Sequence, residues 1–205
     1  MAVASDLVSG ERTTGTIKML LTRPVKRWKV LFSKLAALLM FVSLIVLSVF
    51  VISYLISGLA FGYKGFNIPV FTGFQLSGDT VDMTTVHSVP QWKYLLMQGG
   101  LIWFVSVVVA VLAFMVSVLV RSTAASIVVM MAALIAGTIL TNMAAAWTTA
   151  KYLFMVNLGL TGYLAGTPAP IEGMTLPFSM AVLAVWGIAA IIISFAVFTK
   201  RDILN

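Results

Sequence analysis

Few residues of this chain could carry out chemistry, and they lie in predicted loops or at the ends of predicted helices. The 205 residues include six acidic side chains, one histidine and no cysteine. Asp79, Asp82 and His87 form the densest group, but their spacing matches neither an EF-hand loop nor a zinc site. No Walker A pattern for ATP phosphates occurs in the chain. We therefore predict no catalytic residue, no metal and no cofactor.

Composition indicates a multi-pass membrane protein. Hydrophobic residues make up 61% of the chain and charged residues 9%, with a mean hydropathy of +1.09. A soluble domain has roughly 45–50% apolar and 25% charged residues. The net charge of +7 does not indicate nucleic-acid binding, because the basic residues lie at the ends of apolar runs and form no separate basic face.

Four charge-free windows are long enough to cross a bilayer, which requires about 20 residues per helix. They predict an all-α fold with a cytoplasmic region, 1–34, and a transmembrane domain, 35–205. The four predicted spans are 35–59, 94–120, 122–146 and 176–199. Gly58 and Gly62 have the spacing of small residues that let helices approach closely.

The basic residues predict the orientation. Seven of the thirteen Lys and Arg residues lie between Ser9 and Lys34, and such residues remain on the cytoplasmic side of a span. Four crossings place ten basic residues inside and leave Lys64, Lys93 and Lys151 outside. We therefore expect a prokaryotic inner-membrane protein with both termini in the cytoplasm.

Two segments between the spans are predicted to lie outside the cell. The Gly- and Thr-rich stretch from Phe61 to Lys93 is typical of an ordered loop of turns. Tyr152 to Gly166 is apolar but shorter than the roughly 17 residues that a span requires. We interpret it as a re-entrant or interfacial helix, ended by Pro168 and Pro170.

Ionisable residues are absent from all four windows. Ion-coupled transporters place such residues within the membrane to carry or relay the ion. Coupling to an ion gradient is therefore not expected. If the protein moves a substrate, its energy must come from a partner at the basic segment.

The basic segment itself predicts two helices. Ser9 is a candidate N-cap for a helix from about Gly10 to Leu21, with Glu11 near its positive start. Pro24 separates it from a second, amphipathic helix that would lie in the membrane interface and then turn into the first span. The apolar stripe of that second helix consists of Val25, Trp28, Leu31, Phe32 and Leu35.

The same segment resembles the cytoplasmic loop of type-2 ABC exporter permeases (the ABC-2 type), which contains the helix that docks on the ATPase. The pattern falls on Glu11, Arg12, Gly15, Thr16, Ile17, Lys18, Leu20, Leu21, Pro24 and Arg27. Phe198 to Ile203 is similar to the end of that family's last span. The resemblance implies that these residues of the segment, Pro24 apart, bind a separate ATPase subunit. Since the family usually has six spans, it also implies that this chain lacks the first two.

The function implied by the resemblance is the permease subunit of an ABC exporter, working as a homodimer or heterodimer. The ATPase would be a separate subunit, and an apolar path lined by Phe, Met, Ser and Thr would suit lipids, peptides or amphiphilic drugs. Two alternatives remain open. The chain is a non-transport protein, such as an immunity or assembly factor, whose basic segment binds anionic lipid, or a membrane-embedded enzyme using Asp79, Asp82 and His87.

Overall fold

The structure is a computed structural model of the chain. It describes residues 3–4, 9, 27–62, 68–73, 75–77, 80–82, 86–120, 122–143, 147–167, 169–171 and 173–200. Within these residues, four helices are long and apolar enough to cross a membrane. The four predicted spans are therefore confirmed as helices. Their bounds are α1 (Arg27–Phe61), α2 (Gln91–Leu119), α3 (Thr123–Met143) and α4 (Leu176–Lys200).

Helix α1 differs from the prediction at its start. It is continuous over 35 residues from Arg27, which is about 52 Å at 1.5 Å per residue. The predicted turn between an interfacial helix and the first span is therefore wrong within α1. Lys29 and Lys34 are tolerated in this helix because long basic side chains can extend to the membrane surface. Leu31 and Leu35 of the predicted stripe are buried, whereas Trp28 and Phe32 are exposed.

The connection between α1 and α2 contains two small antiparallel pairs that the all-α prediction missed. Strand β1 (Pro69–Thr72) pairs with β4 (His87–Pro90), and β2 (Gln75–Ser77) pairs with β3 (Thr80–Asp82). Strand β4 runs directly into α2, and the Gln91 amide donates to the Ile68 carbonyl at 3.0 Å. The β1–β4 pair therefore holds the connection close to the start of α2.

The described part of the segment between α3 and α4 forms three short 3₁₀ helices instead of the single re-entrant or interfacial helix that was predicted. They span Thr148–Tyr152, Phe154–Asn157 and Leu160–Tyr163. The longest has five residues, or about 10 Å at 2.0 Å per residue, which is far too short to cross a bilayer. Buried side chains of Ala150, Val156, Ile171 and Met174 pack together beneath this segment.

The chain divides into two compact units, and each takes residues from all four helices. The first comprises residues 1–42, 106–139 and 183–205, and the second comprises residues 43–105 and 140–182. In the first unit α2 is almost fully buried from Val108 to Val118, where Phe114 is 1% exposed. The second unit contains the strands and the 3₁₀ segment. It also contains the candidate functional site.

Candidate functional site: an uncharged cavity between two spans

A cavity of about 440 Å³ lies between the second half of α1 and the first half of α2, wholly within the second unit. Its volume is within the range of about 300–1,000 Å³ that is usual for small-molecule sites. Val49 and Ile102 line it and remain exposed, so the cavity is open at the surface of the helix pair. The lining residues are Val46, Val49, Phe50, Ser53, Tyr54, Ser57, Gly58, Gly62, Gln91, Leu95, Gln98, Gly99 and Ile102.

Two contacts fix the pairing of these helices. The indole N–H of Trp103 donates to Ser43 Oγ at 2.9 Å. A Cβ placed on Gly99 would lie 3.4 Å from Cε2 of Phe50, so the missing side chain lets the Phe50 ring reach the backbone of α2. Because later residues of α2 meet earlier residues of α1, the two helices are antiparallel along the cavity.

Glycines shape the end of the cavity that is nearest the strands. Gly62 has φ of +81° directly after α1, the left-handed conformation in which helices commonly end and which favours glycine. Gly58 is buried in the cavity wall. Among the described residues, no side chain contacts Gly62 closely, since nothing lies within 4 Å of its Cβ position, while the predicted close packing at Gly58 stays a prediction.

Within the described part of the chain, the lining is polar but uncharged. It includes the amides of Gln91 and Gln98 and the hydroxyls of Ser53, Tyr54 and Ser57. Among the described residues, neither glutamine side chain has a hydrogen-bond partner. Both glutamines are partly exposed, so their two amides are available to a bound molecule. Gln98 could have been found from the sequence, since it is a strongly polar residue inside a predicted span.

The 3₁₀ segment contacts the start of α4 in the same unit. The hydroxyls of Tyr163 and Ser179 lie 3.0 Å apart, and the rings of Tyr152 and Phe178 meet edge to face at 5.8 Å. Asn157 is 2% exposed and donates through Nδ2 to the carbonyls of Lys151 and Leu153, both at 2.8 Å. Its Oδ1 is buried with no partner among the described residues.

The predicted ATPase-docking residues lie largely outside the described residues. For Arg27 the structure describes only the backbone, at the start of α1. The eight that lie outside are Glu11, Arg12, Gly15, Thr16, Ile17, Lys18, Leu20 and Leu21.

Ser9 is described and is fully buried in the first unit. Its backbone is helical, so it does not have the non-helical conformation of the predicted N-cap. The Ser9 amide donates to Ser117 Oγ at 3.1 Å, and Ser9 Oγ donates to Thr123 Oγ1 at 3.3 Å. Ser9 is thereby attached to the last turns of α2 and to the first residue of α3.

The residues considered for metal binding or catalysis are only partly described. Asp79 lies outside the described residues, and only the backbone of Asp82 is described, at the end of β3. His87 Nε2 lies 3.3 Å from Thr72 Oγ1 in the β1–β4 pair. Within the described part of the chain, no three side chains of the metal-binding types form a cluster.

A family model described as "Protein of unknown function (DUF2705)" matches residues 1–204. The chain belongs to the DUF2705 family. Two proteins of Bacillus subtilis (strain 168) are similar to it. "Uncharacterized protein YhcI" is 33% identical over 204 residues, which are 99% of this chain and 63% of that protein. "Uncharacterized membrane protein YdbK" is 28% identical over 205 residues, which are 99% of this chain and 76% of that protein. No solved structure matches the chain.

Membership of DUF2705 corrects the assignment to the type-2 ABC exporter permeases, which is wrong. The DUF2705 match extends over nearly the whole chain. The sequence-specific part of the resemblance was confined to the basic segment and the end of α4. Basic amphipathic segments next to a span contain few residue types, because cytoplasmic loops favour Lys and Arg and helix ends favour Gly and Pro. Unrelated segments of this kind are therefore often similar. Such a short pattern therefore does not establish a family.

The comparisons and the helices agree on a coarser statement. YdbK is named a membrane protein, and this DUF2705 chain has four described helices that could cross a membrane. It is therefore a multi-pass membrane protein. The chain spans 63% of the length of YhcI.

Proposed function

We propose that this DUF2705 protein is the membrane-spanning subunit of an exporter for an apolar or amphiphilic molecule. In this proposal, ATP hydrolysis by a separate cytoplasmic ATPase subunit supplies the energy. The observation that carries the proposal is the uncharged cavity between α1 and α2. A cavity open beside two spans is accessible to molecules that dissolve in the membrane, and its lining offers them both apolar contacts and hydrogen bonds.

The sequence of the spans supports an external energy source. No Asp, Glu, Lys, Arg or His lies in residues 35–59, 94–119, 123–143 or 176–199. Ion-coupled transporters and proton relays depend on such residues within the membrane. An ATPase on the cytoplasmic side is the alternative source, and the chain itself contains no Walker A pattern.

The basic segment is the proposed site for that partner. Seven of the thirteen basic residues lie between Ser9 and Lys34, which favours the cytoplasmic side for this end of the chain. Through the contacts of Ser9 with Ser117 and Thr123, a displacement of the segment would also displace α2. Gln98 of the cavity lies on α2, so the displacement would change the position of this lining residue.

The experiment combines reconstitution with a matched pair of charge reversals. The full-length protein would be purified from its native host in a mild detergent with any associated ATPase, and reconstituted into vesicles containing a fluorescent lipid analogue. We expect ATP-dependent movement of the analogue between the leaflets. Glu11→Arg should abolish the movement and the association, whereas Glu172→Arg, a reversal in a different loop, should preserve both.

The opposite results would refute the proposal. If no ATPase is associated and the analogue moves equally with and without ATP, the protein is not an ATP-driven exporter. Retained binding of the purified protein to anionic vesicles would then favour the non-transport alternative, in which the basic segment contacts only lipid headgroups.

A further inference from the structure

The polarity of the cavity changes along its length. Because α1 and α2 are antiparallel here, Gln91 lies at the same end as Ser57 and Gly62, near the strands. Val46, Val49 and Ile102 lie at the other end. The distance along α2 from Gln91 to Ile102 is about 16 Å at 1.5 Å per residue. The cavity thus has a polar end at the ends of the helices and an apolar end within the membrane.

The polar end favours an uncharged headgroup. Its hydrogen-bonding groups are amides and hydroxyls, which donate and accept but do not neutralise charge. A carboxylate or an ammonium group bound there would meet no opposite charge among the described lining residues, so nothing would offset the water that it loses. A hydroxyl or amide headgroup could instead pair with Gln91, Gln98 and Ser57.

The dimensions favour a small ligand with one chain. About 440 Å³ is in the lower half of the range for drug-sized molecules. The apolar end is lined by Val46, Val49 and Ile102 and lies between two helices only. A gap of this size fits one alkyl chain attached to a small head.

We propose that the cavity binds a single-chain amphiphile with an uncharged, hydrogen-bonding headgroup, of the monoacylglycerol type. The headgroup lies between Gln91 and Gln98, and the chain extends towards Ile102. This inference rests on the proposed function only in treating the ligand as the exported substrate, because binding itself requires neither ATP nor a partner.

The test measures binding to the purified full-length protein in detergent. The probe is a radiolabelled monoacylglycerol, and the competitors are a fatty acid and an alkyltrimethylammonium salt with the same chain. We expect saturable binding of the probe and at least 10-fold weaker competition by both charged molecules. Gln98→Leu should weaken binding by roughly 5- to 10-fold through the loss of its hydrogen bonds. Met97→Leu, an exposed neighbour outside the lining, should leave binding unchanged.

A second variant tests the location independently. Ser57→Phe should fill the polar end and abolish saturable binding. Equal competition by charged and uncharged molecules, or equal affinities of the Gln98→Leu and Met97→Leu proteins, would overturn the inference. Rapid disulfide formation between two copies of a Ser57→Cys protein would also overturn it, because the cavity would then be an interface between copies of the chain.

The two proposals fail in different ways. Saturable, Gln98-dependent binding without ATP-driven transport would refute the exporter but preserve the ligand site. ATP-driven transport of a lipid analogue by a protein that shows no such binding would refute the ligand site and preserve the exporter.

Discussion

Ser9 and Ser117 are 108 positions apart in the chain, and the Ser9 amide donates a hydrogen bond to Ser117 Oγ at 3.1 Å. The Ser117 hydroxyl in turn lies 3.4 Å from Ser9 Oγ, and both residues are fully buried. The contact ties the start of the chain to α2 close to its end at Leu119. It is the structural basis for expecting that a partner bound to the N-terminal segment would act on α2.

The first prediction tests this contact by cross-linking. The chain contains no cysteine, so a Ser9→Cys, Ser117→Cys protein has no background thiol. Since the two hydroxyls are 3.4 Å apart, we expect a disulfide to form on mild oxidation and to change the mobility of the denatured protein on a gel. Ser9→Cys with Ser106→Cys is the control, because Ser106 lies about 16 Å further back along α2. Equal cross-linking of the two pairs would contradict the contact.

The second prediction concerns orientation in the membrane. With ten basic residues on one side and three on the other, we expect residue 205 in the cytoplasm and residue 75 outside. Single cysteines at these positions would be treated with an impermeant thiol reagent on intact cells. Of these two cysteines, only the one in Gln75→Cys should react. Cysteines replacing Lys151 and Glu172 should both react as well, because the longest 3₁₀ helix of the described segment has five residues and cannot cross a bilayer. Labelling of Asn205→Cys in intact cells would reverse the orientation.

The third prediction is a coupling energy between Trp103 and Ser43, whose side chains are joined by a 2.9 Å hydrogen bond. Hydrogen bonds between membrane helices average about 0.6 kcal/mol, with values up to about 1.7 kcal/mol. A double-mutant cycle with Trp103→Phe and Ser43→Ala, measured by denaturant unfolding in mixed micelles, should give a coupling within that range. Ser48→Ala replaces Ser43→Ala in the control cycle, since Ser48 bonds to the Leu44 carbonyl of its own helix. That cycle should give zero.

The sequence predicted the spans well because four long charge-free runs have few alternatives in a membrane protein. It predicted the start of α1 poorly. The charge-free window begins only after Lys34, although basic side chains such as those of Lys29 and Lys34 are compatible with a continuous helix at the membrane surface. The β1–β4 pair was missed because it joins residues such as Val70 and Val89, and local patterns contain no information on pairing across such a separation.

The cavity was beyond what the sequence could predict. Hydrophobic windows identify helices but do not say which helices are neighbours or where a gap remains between them. The polarity of Gln98 within a span was visible, yet only the pairing of α1 with α2 brings it close to Ser53 and Tyr54. Phe50, Ser53 and Ser57 line the cavity, while the expected transport path lined by Phe, Met, Ser and Thr stays a prediction.

The fourth prediction concerns Gly162 in the 3₁₀ segment. A Cβ at this position would lie 2.5 Å from Thr167 Oγ1, while the Thr167 amide donates to the Gly162 carbonyl at 3.0 Å. Gly162→Ala should therefore destabilise the protein by about 1 kcal/mol, the low end for an overpacked site. Gly159→Ala is the control, because nothing lies within 4 Å of its Cβ position. Thr167→Ala should remove most of the cost of Gly162→Ala, and a cost that persists would point to a different cause.

The fifth prediction concerns Asn157, whose Nδ2 donates to two carbonyls while its Oδ1 is buried without a described partner. Asn157→Leu loses two hydrogen bonds but also removes the unpaired acceptor, so we expect a cost of about 1 kcal/mol or less. Asn157→Asp keeps the shape but places a carboxylate against the carbonyls of Lys151 and Leu153. It should cost about 3 kcal/mol or more at neutral pH, because a buried charge is left uncompensated.

The pH dependence of the Asn157→Asp variant separates charge from shape. Burial raises the pKa of the introduced carboxyl in the folded state above its unfolded value of about 3.9. Both states are protonated below that pH, so the cost of the charge is absent there and grows as the pH rises towards the folded pKa. We therefore expect the deficit of Asn157→Asp to shrink on acidification, as measured by unfolding in detergent. Asn142→Asp, at an exposed position, should change stability much less with pH, and an equal response of the two variants would mean that Asn157 is not buried.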